Sequence, residues 1–171
     1  MNEHRDVITM KGNPLTLVGD LAYVGGKAPD AELLDNNLSP VRLSSYQGKI
    51  VVLSVVPSLD TPVCDIQTRR FNTEAGKLSD DVAILTVSMD LPFAQKRWCG
   101  AVGADKVTTL SDHRSGAFGE AFGVMIKELR LLARAVFVLD REGGVRYVQL
   151  VKEVADEPDY DAVIDAVKDL V

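Results

Sequence analysis

Cysteine and histidine are scarce in this sequence. Its 171 residues include two of each, Cys64 and Cys99, His4 and His113. Two cysteines cannot fill a cysteine-rich zinc site, and neither Cys-x-x-Cys nor His-Glu-x-x-His occurs, so no metal is expected. Positive charge is also short: 19 Lys and Arg against 25 Asp and Glu leave a net charge of −6, with the acidic residues scattered. A chain without a basic face is poorly matched to a phosphate backbone, which argues against nucleic acid as a partner. Long apolar runs are missing too. The opening MNEHRDVITM carries both signs of charge and no apolar signal core. No stretch approaches the roughly 18 apolar residues of a spanning helix, so the expectation is a cytoplasmic protein without membrane contact. In that reducing compartment a structural disulfide is rare, which leaves two uses for the cysteines: unpaired core filler or redox chemistry.

What is present is an ordinary globular composition, 46% hydrophobic and 26% charged. A chain of this length buries roughly 70% of its unfolded surface around one core, so residues 1–171 read as a single domain. There is no internal repeat, low-complexity tract or linker. Val7–Met10 and Leu15–Val18, flanking Lys11-Gly12-Asn13-Pro14, predict a hairpin. After a break at Gly25–Pro29 and a polar loop at Asp35–Pro40, strands and helices alternate. Ile50–Val56, Val82–Ser88 and Val107–Leu110 predict strands; Pro62–Leu78, Pro92–Gly100 and Gly116–Phe122 predict helices. Ala135–Leu139 and Val145–Val151 predict a strand pair about Asp140–Gly144. Asp159–Val171 predicts a closing helix with Tyr160, Val163, Ile164, Val167 and Leu170 on one face. The βαβ spacing implies an α/β fold with a mixed sheet covered on both faces, plus an N-terminal hairpin.

The stretch PSLDTPVC, Pro57 to Cys64, falls where a buried strand hands over to a helix. Pro62 suits the first helical position, and Cys64 follows within the first turn. Unpaired N–H groups and the helix dipole favour an anion there, and the anion a cysteine offers is its nucleophilic thiolate. A thiol lowered from a pKa of about 8.5 to about 6 goes from roughly 3% to roughly 90% ionised at pH 7, a gain of about thirtyfold. That falls far short of enzymatic accelerations, so some other group must position and polarise the electrophile. Thr61 either caps the helix or turns its hydroxyl towards the sulfur. Cys64 equally suits a small buried hydrophobe, and Pro57 an ordinary strand terminator.

Together Pro57, Thr61 and Cys64 reproduce the P-x-x-x-T-x-x-C signature of peroxiredoxins, and PSLDTPVCDIQTRRFN resembles their thiol peroxidase subgroup. DLPFAQKRWCG, Asp90 to Gly100, is similar to the segment that carries the resolving cysteine in that subgroup. LLARAVFVLD, Leu131 to Asp140, resembles the strand that carries its active-site arginine. The similarity runs from the N-terminal hairpin to EPDYDAV. It implies a thioredoxin-like fold and reduction of hydrogen peroxide or organic hydroperoxides by an atypical two-cysteine cycle, with no bound cofactor. Cys64 would be the peroxidatic cysteine and Cys99 the resolving one. Arg134 would stabilise thiolate and peroxide together through its permanently charged, planar guanidinium. Thr61 would hydrogen-bond a peroxide oxygen or the sulfur, and Pro57 would shield the thiolate from water. Members are typically homodimers reduced by thioredoxin.

Each assignment has a plainer counterpart: a strand-edge ion pair for Arg134, packing beside Trp98 for Cys99. His4 and His113 read better as exposed loop residues than as partners of Cys64. Arg69 and Arg70 could add positive potential to the pocket or lie on a solvated helix face. At the level of function the rival is a redox-sensing interaction protein switched by a Cys64–Cys99 disulfide. A disulfide reductase on the same fold would need Cys-x-x-Cys, and Thr61 stands where its first cysteine would be. Because Cys64 and Cys99 lie on separate predicted helices, a disulfide requires both segments to loosen.

Overall fold

In the computed structural model, which describes residues 1–171, the chain opens with an antiparallel hairpin of β1 (Glu3–Met10) and β2 (Asn13–Val18). Its turn is just Lys11 and Gly12, at φ 51° and 81°. A two-residue turn with both φ positive matches the twist of the strands it joins, and glycine adopts it without strain. Asn13 and Pro14, read from sequence as turn residues, instead pair with Met10 and Thr9.

Strands β3 (Glu32–Leu34) and β4 (Pro40–Arg42) form a second hairpin, followed by a 3-10 turn at Leu43–Tyr46. The body then alternates through β5 (Ile50–Val55), α1 (Pro62–Ala75), β6 (Val82–Ser88), α2 (Pro92–Val102) and β7 (Thr108–Ser111). After α3 (Ala117–Phe122) come the two-residue strands β8 (Met125–Ile126) and β9 (Leu131–Leu132). The chain closes with β10 (Ala135–Leu139), β11 (Val145–Leu150) and α4 (Tyr160–Lys168). Seven strands form one mixed sheet in the order β11-β10-β5-β6-β7-β3-β4, with β5, β6 and β7 parallel and the other pairings antiparallel. The N-terminal hairpin joins β8 and β9 in a separate antiparallel sheet of four. No helix is long and apolar enough to cross a membrane.

Successive side chains of a strand point to opposite faces, and the core divides accordingly. From β5, Ile50 and Val52 join Val136, Val138, Ile84, Phe71, Trp98, Val163 and Val167 beneath α1, α2 and α4. Val51, Leu53 and Val55 join Leu85, Phe137, Phe118, Phe122, Ile8 and Leu17 beneath α3 and the hairpin. The hairpin extension is therefore the roof of the second core. Cys64 belongs to the first.

The predicted bounds differ at several ends, each for a local reason. Helix α1 stops at Ala75 rather than Leu78, because Lys77 and Leu78 turn back onto the carbonyls of Glu74 and Ala75 in three-residue steps. Helix α2 runs past Gly100 to Val102, where Gly103 at φ 68° ends it. Helix α4 begins after Asp159, whose carboxylate accepts the Ala162 amide at 3.0 Å, and ends at Lys168 rather than Val171. The stretch read as a polar loop at Asp35–Pro40 is the tip of the β3–β4 hairpin, with Asp35 accepting the Asn37 and Ser39 amides.

Candidate active site

Every residue of β5 is buried, and the strand ends in the turn that leads to α1. Pro62 occupies the first turn of the helix, as its missing N–H allows, and Cys64 sits on the inner face of that turn with 0% of its surface exposed. The fold thus buries Cys64, as the reading of it as a small core residue expects. The sulfur is roofed over, yet it is not sealed in hydrocarbon: it accepts a hydrogen bond from Arg134 Nη2 at 3.3 Å.

Arg134 follows β9 and precedes β10, and it is 2% exposed. Three of its donors are held: Nε by the Val154 carbonyl at 2.8 Å, Nη1 by Gln67 Oε1 at 2.9 Å, and Nη2 by Cys64 Sγ. A guanidinium has five N–H groups, so two stay free. None of the three acceptors is a carboxylate. A buried cation without an anion is costly, and the group beside it that can become an anion is the Cys64 thiol. The strand-edge ion pair considered for Arg134 is thus absent.

Gln67 was missed in the sequence reading. It is fully buried, one turn after Cys64 on the same face of α1, and its amide donates to Ser54 Oγ at 2.8 Å while its carbonyl takes Arg134. Two signals could have found it: the i, i+3 spacing from the cysteine, and a serine interrupting the otherwise apolar IVVLSV of β5. A buried polar side chain asks for a buried polar partner.

Thr61 occupies the cap position of α1 but makes no side-chain cap bond. Nor does its hydroxyl donate to the sulfur. It donates to the Ser58 carbonyl at 2.9 Å, which leaves its lone pairs free to accept. The 58–61 turn is itself held by Asp90, whose carboxylate accepts Ser58 Oγ at 2.7 Å and the Leu59 amide at 2.8 Å.

Above the sulfur lies a groove of about 500 Å³ whose walls include Pro57, Thr61, Val63, Leu131, Arg134 and Val154. Its far rim is Met10 and Lys11, from the tip of the N-terminal hairpin. Pro57 is buried at the base of that turn. Cys64 is not itself on the groove wall, but Arg134, which bonds its sulfur, is.

Both cysteines are free thiols. Cys99 is half-buried on α2 with Sγ 3.6 Å from Thr109 Oγ1, and it packs against the core cluster that holds Cys64 and Trp98. The remaining candidates lie away from the sulfur. His4 pairs with Asp20 at 3.1 Å on the outer hairpin, and His113 sits half-buried in the loop after β7. Arg69 pairs with Asp65 at 2.9 Å; Arg70 pairs with Glu74 at 3.1 Å and lies over the Tyr160 ring. Both arginines form a solvated helix face. No three His, Cys, Asp or Glu side chains converge closely enough to hold a metal ion.

Comparison with known proteins agrees with this arrangement. Residues 23–164 match the Redoxin family. A thiol peroxidase of Bacillus subtilis is 59% identical over 164 residues, covering 96% of this chain and 98% of that protein. One from Staphylococcus aureus is 55% identical over 163 residues, covering 95% and 98%. The crystal structure of a peroxiredoxin-like protein from Aquifex aeolicus superposes with a TM-score of 0.91 at 43% identity over 98% of this chain and 99% of that one. A thiol peroxidase from Chromobacterium violaceum shares the fold at a TM-score of 0.85 and 18% identity, covering 99% and 98% of the two chains. A thioredoxin-like mixed sheet, a cysteine on the first turn of its first long helix and relatives this similar over nearly their whole length have one meaning: the chain belongs to the redoxin family, in the thiol peroxidase subgroup of the peroxiredoxins.

Proposed function

We propose that this protein reduces hydrogen peroxide and organic hydroperoxides at Cys64, and that thioredoxin returns it to the dithiol state. The observation that carries this reading is the Arg134 guanidinium, buried, without a carboxylate, and aimed at Cys64 Sγ from 3.3 Å. In the first step the Cys64 thiolate attacks the terminal oxygen of ROOH. An S–O bond forms, the O–O bond breaks, and Cys64 becomes a sulfenic acid while RO⁻ takes a proton and leaves as an alcohol or water. Negative charge moves from sulfur to the departing oxygen, and the two free N–H groups of Arg134 are the donors that meet it. Thr61, its own proton given to Ser58, accepts the O–H of the hydroperoxide and so selects the orientation for attack. The apolar groove walls give room for an alkyl substituent.

In the second step the Cys99 thiol attacks the sulfenic sulfur, water leaves, and a Cys64–Cys99 disulfide forms. A dithiol of thioredoxin then takes up the disulfide by exchange. The separate partners of the two sulfurs, Arg134 for Cys64 and Thr109 for Cys99, support the view that the Cys64 turn and α2 open between these steps. We place the enzyme in the cytoplasm, as a homodimer, with sedimentation as the test of assembly.

The deciding measurement is turnover coupled to NADPH through thioredoxin and its reductase. Rapid consumption that disappears in Cys64→Ser supports the peroxidase; one stoichiometric oxidation without turnover supports the sensor instead. Intact mass adds the second step: oxidised protein should be about two daltons lighter, while Cys99→Ser should gain one oxygen at Cys64.

A further inference from the structure

Helix α2 is fastened to the Cys64 segment at both of its ends, and the two fastenings differ in the number of bonds that make them. At the head, Asp90 takes Ser58 Oγ, the Leu59 amide and Ser88 Oγ at 2.7, 2.8 and 2.8 Å, and Gln95, itself buried, backs Ser88 at 3.0 Å. At the tail, Trp98 Nε1 donates to Asp65 Oδ1 at 2.7 Å. This second bond joins the residue that follows Cys64 to the residue that precedes Cys99. The carboxylate of Asp65 is 32% exposed and is shared with Arg69. A single bond to a carboxylate that water also reaches opens at a smaller penalty than three bonds do, because water can replace the lost partner. Stripping three donors from Asp90 leaves several buried groups unsatisfied at once. One further tie, from the Lys106 amide to Asn72 Oδ1 at 2.8 Å, holds the loop after α2 and is exposed.

Resting on the two-cysteine cycle proposed above, we infer that Trp98 and Asp65 are a latch that sets how often Cys99 is released towards Cys64, with Asp90 as the hinge. Opening starts at the tail of α2, where Cys99 lies, and pivots on the head. Trp98 and Asp65 are thus positioning residues for the resolving step: neither is hydrogen-bonded to a reacting sulfur, whose partners are Arg134 and Thr109. They set a competition as well. A sulfenic acid that waits for Cys99 is exposed to a second peroxide and to sulfinic acid formation, so a tighter latch makes the protein easier to inactivate.

The test uses Trp98→Phe, which keeps the ring and removes the donor, and Asp65→Ala, which removes the acceptor. Asp65→Asn retains an acceptor oxygen. Hydrogen exchange in the reduced protein should speed up about tenfold at the Gly100–Val102 amides in the first two variants, the size expected for one charge-assisted bond. Asp65→Asn should stay within about threefold of wild type. The Leu59 amide, bound to Asp90, should remain protected throughout. After a single addition of peroxide, quenched-flow mass analysis should show the disulfide forming about tenfold faster in Trp98→Phe and Asp65→Ala, with more peroxide needed to reach the sulfinic acid. The double variant should match either single one. Unchanged exchange and disulfide rates in both variants overturn the latch, as does failure of Asp65→Asn to restore them. Exchange at Leu59 in step with Val102 overturns the hinge. If wild type never loses two daltons, the resolving role of Cys99 fails, while the exchange comparison still decides the latch.

Discussion

Arg134 Nη2 lies 3.3 Å from Cys64 Sγ across 70 residues of sequence, and the contact exists because the end of β9 and the first turn of α1 meet above β5. Only a planar, forked cation can bond Val154, Gln67 and the sulfur at once and keep two donors in reserve. Arg134→Lys should therefore behave as a loss rather than a conservative change. The second-order rate of Cys64 oxidation, followed by competition with a second peroxidase, should fall by roughly a hundredfold or more. A fall of less than about threefold would mean the guanidinium is not stabilising the transition state.

Gln67 makes no hydrogen bond to the sulfur, but it fixes the plane of the guanidinium from Nη1. Gln67→Leu keeps the volume and strands Ser54 Oγ and Arg134 Nη1 together. The expected result is a destabilisation of about 1–3 kcal/mol by denaturant unfolding, with a roughly tenfold slower oxidation of Cys64. Adding Ser54→Ala should recover part of the stability, because it removes one of the stranded groups, and none of the rate.

The parallel centre of the sheet was legible because β5 and β6 are nearly unbroken apolar runs bounded by turn residues, and α4 because Tyr160, Val163, Ile164 and Val167 recur at helical spacing. The hairpins β3–β4 and β8–β9 were not, since strands of two or three residues leave no period to read. The same limit applies to the site. Cys64 on a first helical turn follows from Pro62 and the end of the apolar run, but where the proton of Thr61 goes depends on a turn geometry set by Asp90, some thirty residues away. Arg134 entered the sequence reading only through resemblance to a family, because no local pattern tells which arginine a sheet will bury. Burial of the sulfur was one of the alternatives the sequence left open, and the fold combines it with the bond to Arg134: Cys64 packs in the core that holds Val56, Leu59, Phe71 and Trp98.

Leu131, half-buried on β9, forms part of the groove wall beside Arg134. On the proposed function an alkyl hydroperoxide would rest its substituent against this wall, whereas hydrogen peroxide has none to place. Leu131→Gln should lower the rate with cumene hydroperoxide about tenfold and change the rate with hydrogen peroxide by less than about twofold. Equal losses with both peroxides would show that the substitution disturbed Arg134 instead of the wall.

Glu153 links the hairpin to the loop that holds Arg134, and it does so as an anion. Its carboxylate accepts the Ala155 amide at 2.8 Å, the Gly12 amide at 2.8 Å and Thr9 Oγ1 at 3.0 Å. The backbone N–H groups of Ala155 and Gly12 hold its carboxyl well below the usual range, at about 2. A carboxyl whose value is lowered by folding contributes stability that is complete above the unfolded value of about 4.3 and disappears as pH falls through the folded one. Glu153→Gln should thus melt below wild type at pH 6, and the gap should narrow from about pH 4.5 and close near pH 2. At neutral pH the same variant should also oxidise Cys64 a few-fold more slowly, because Val154, the next residue, offers the carbonyl that holds Arg134 Nε at 2.8 Å. A melting gap that stays constant across that acid range would remove the carboxylate from the account, and an unchanged oxidation rate at neutral pH would separate the hairpin clasp from the guanidinium.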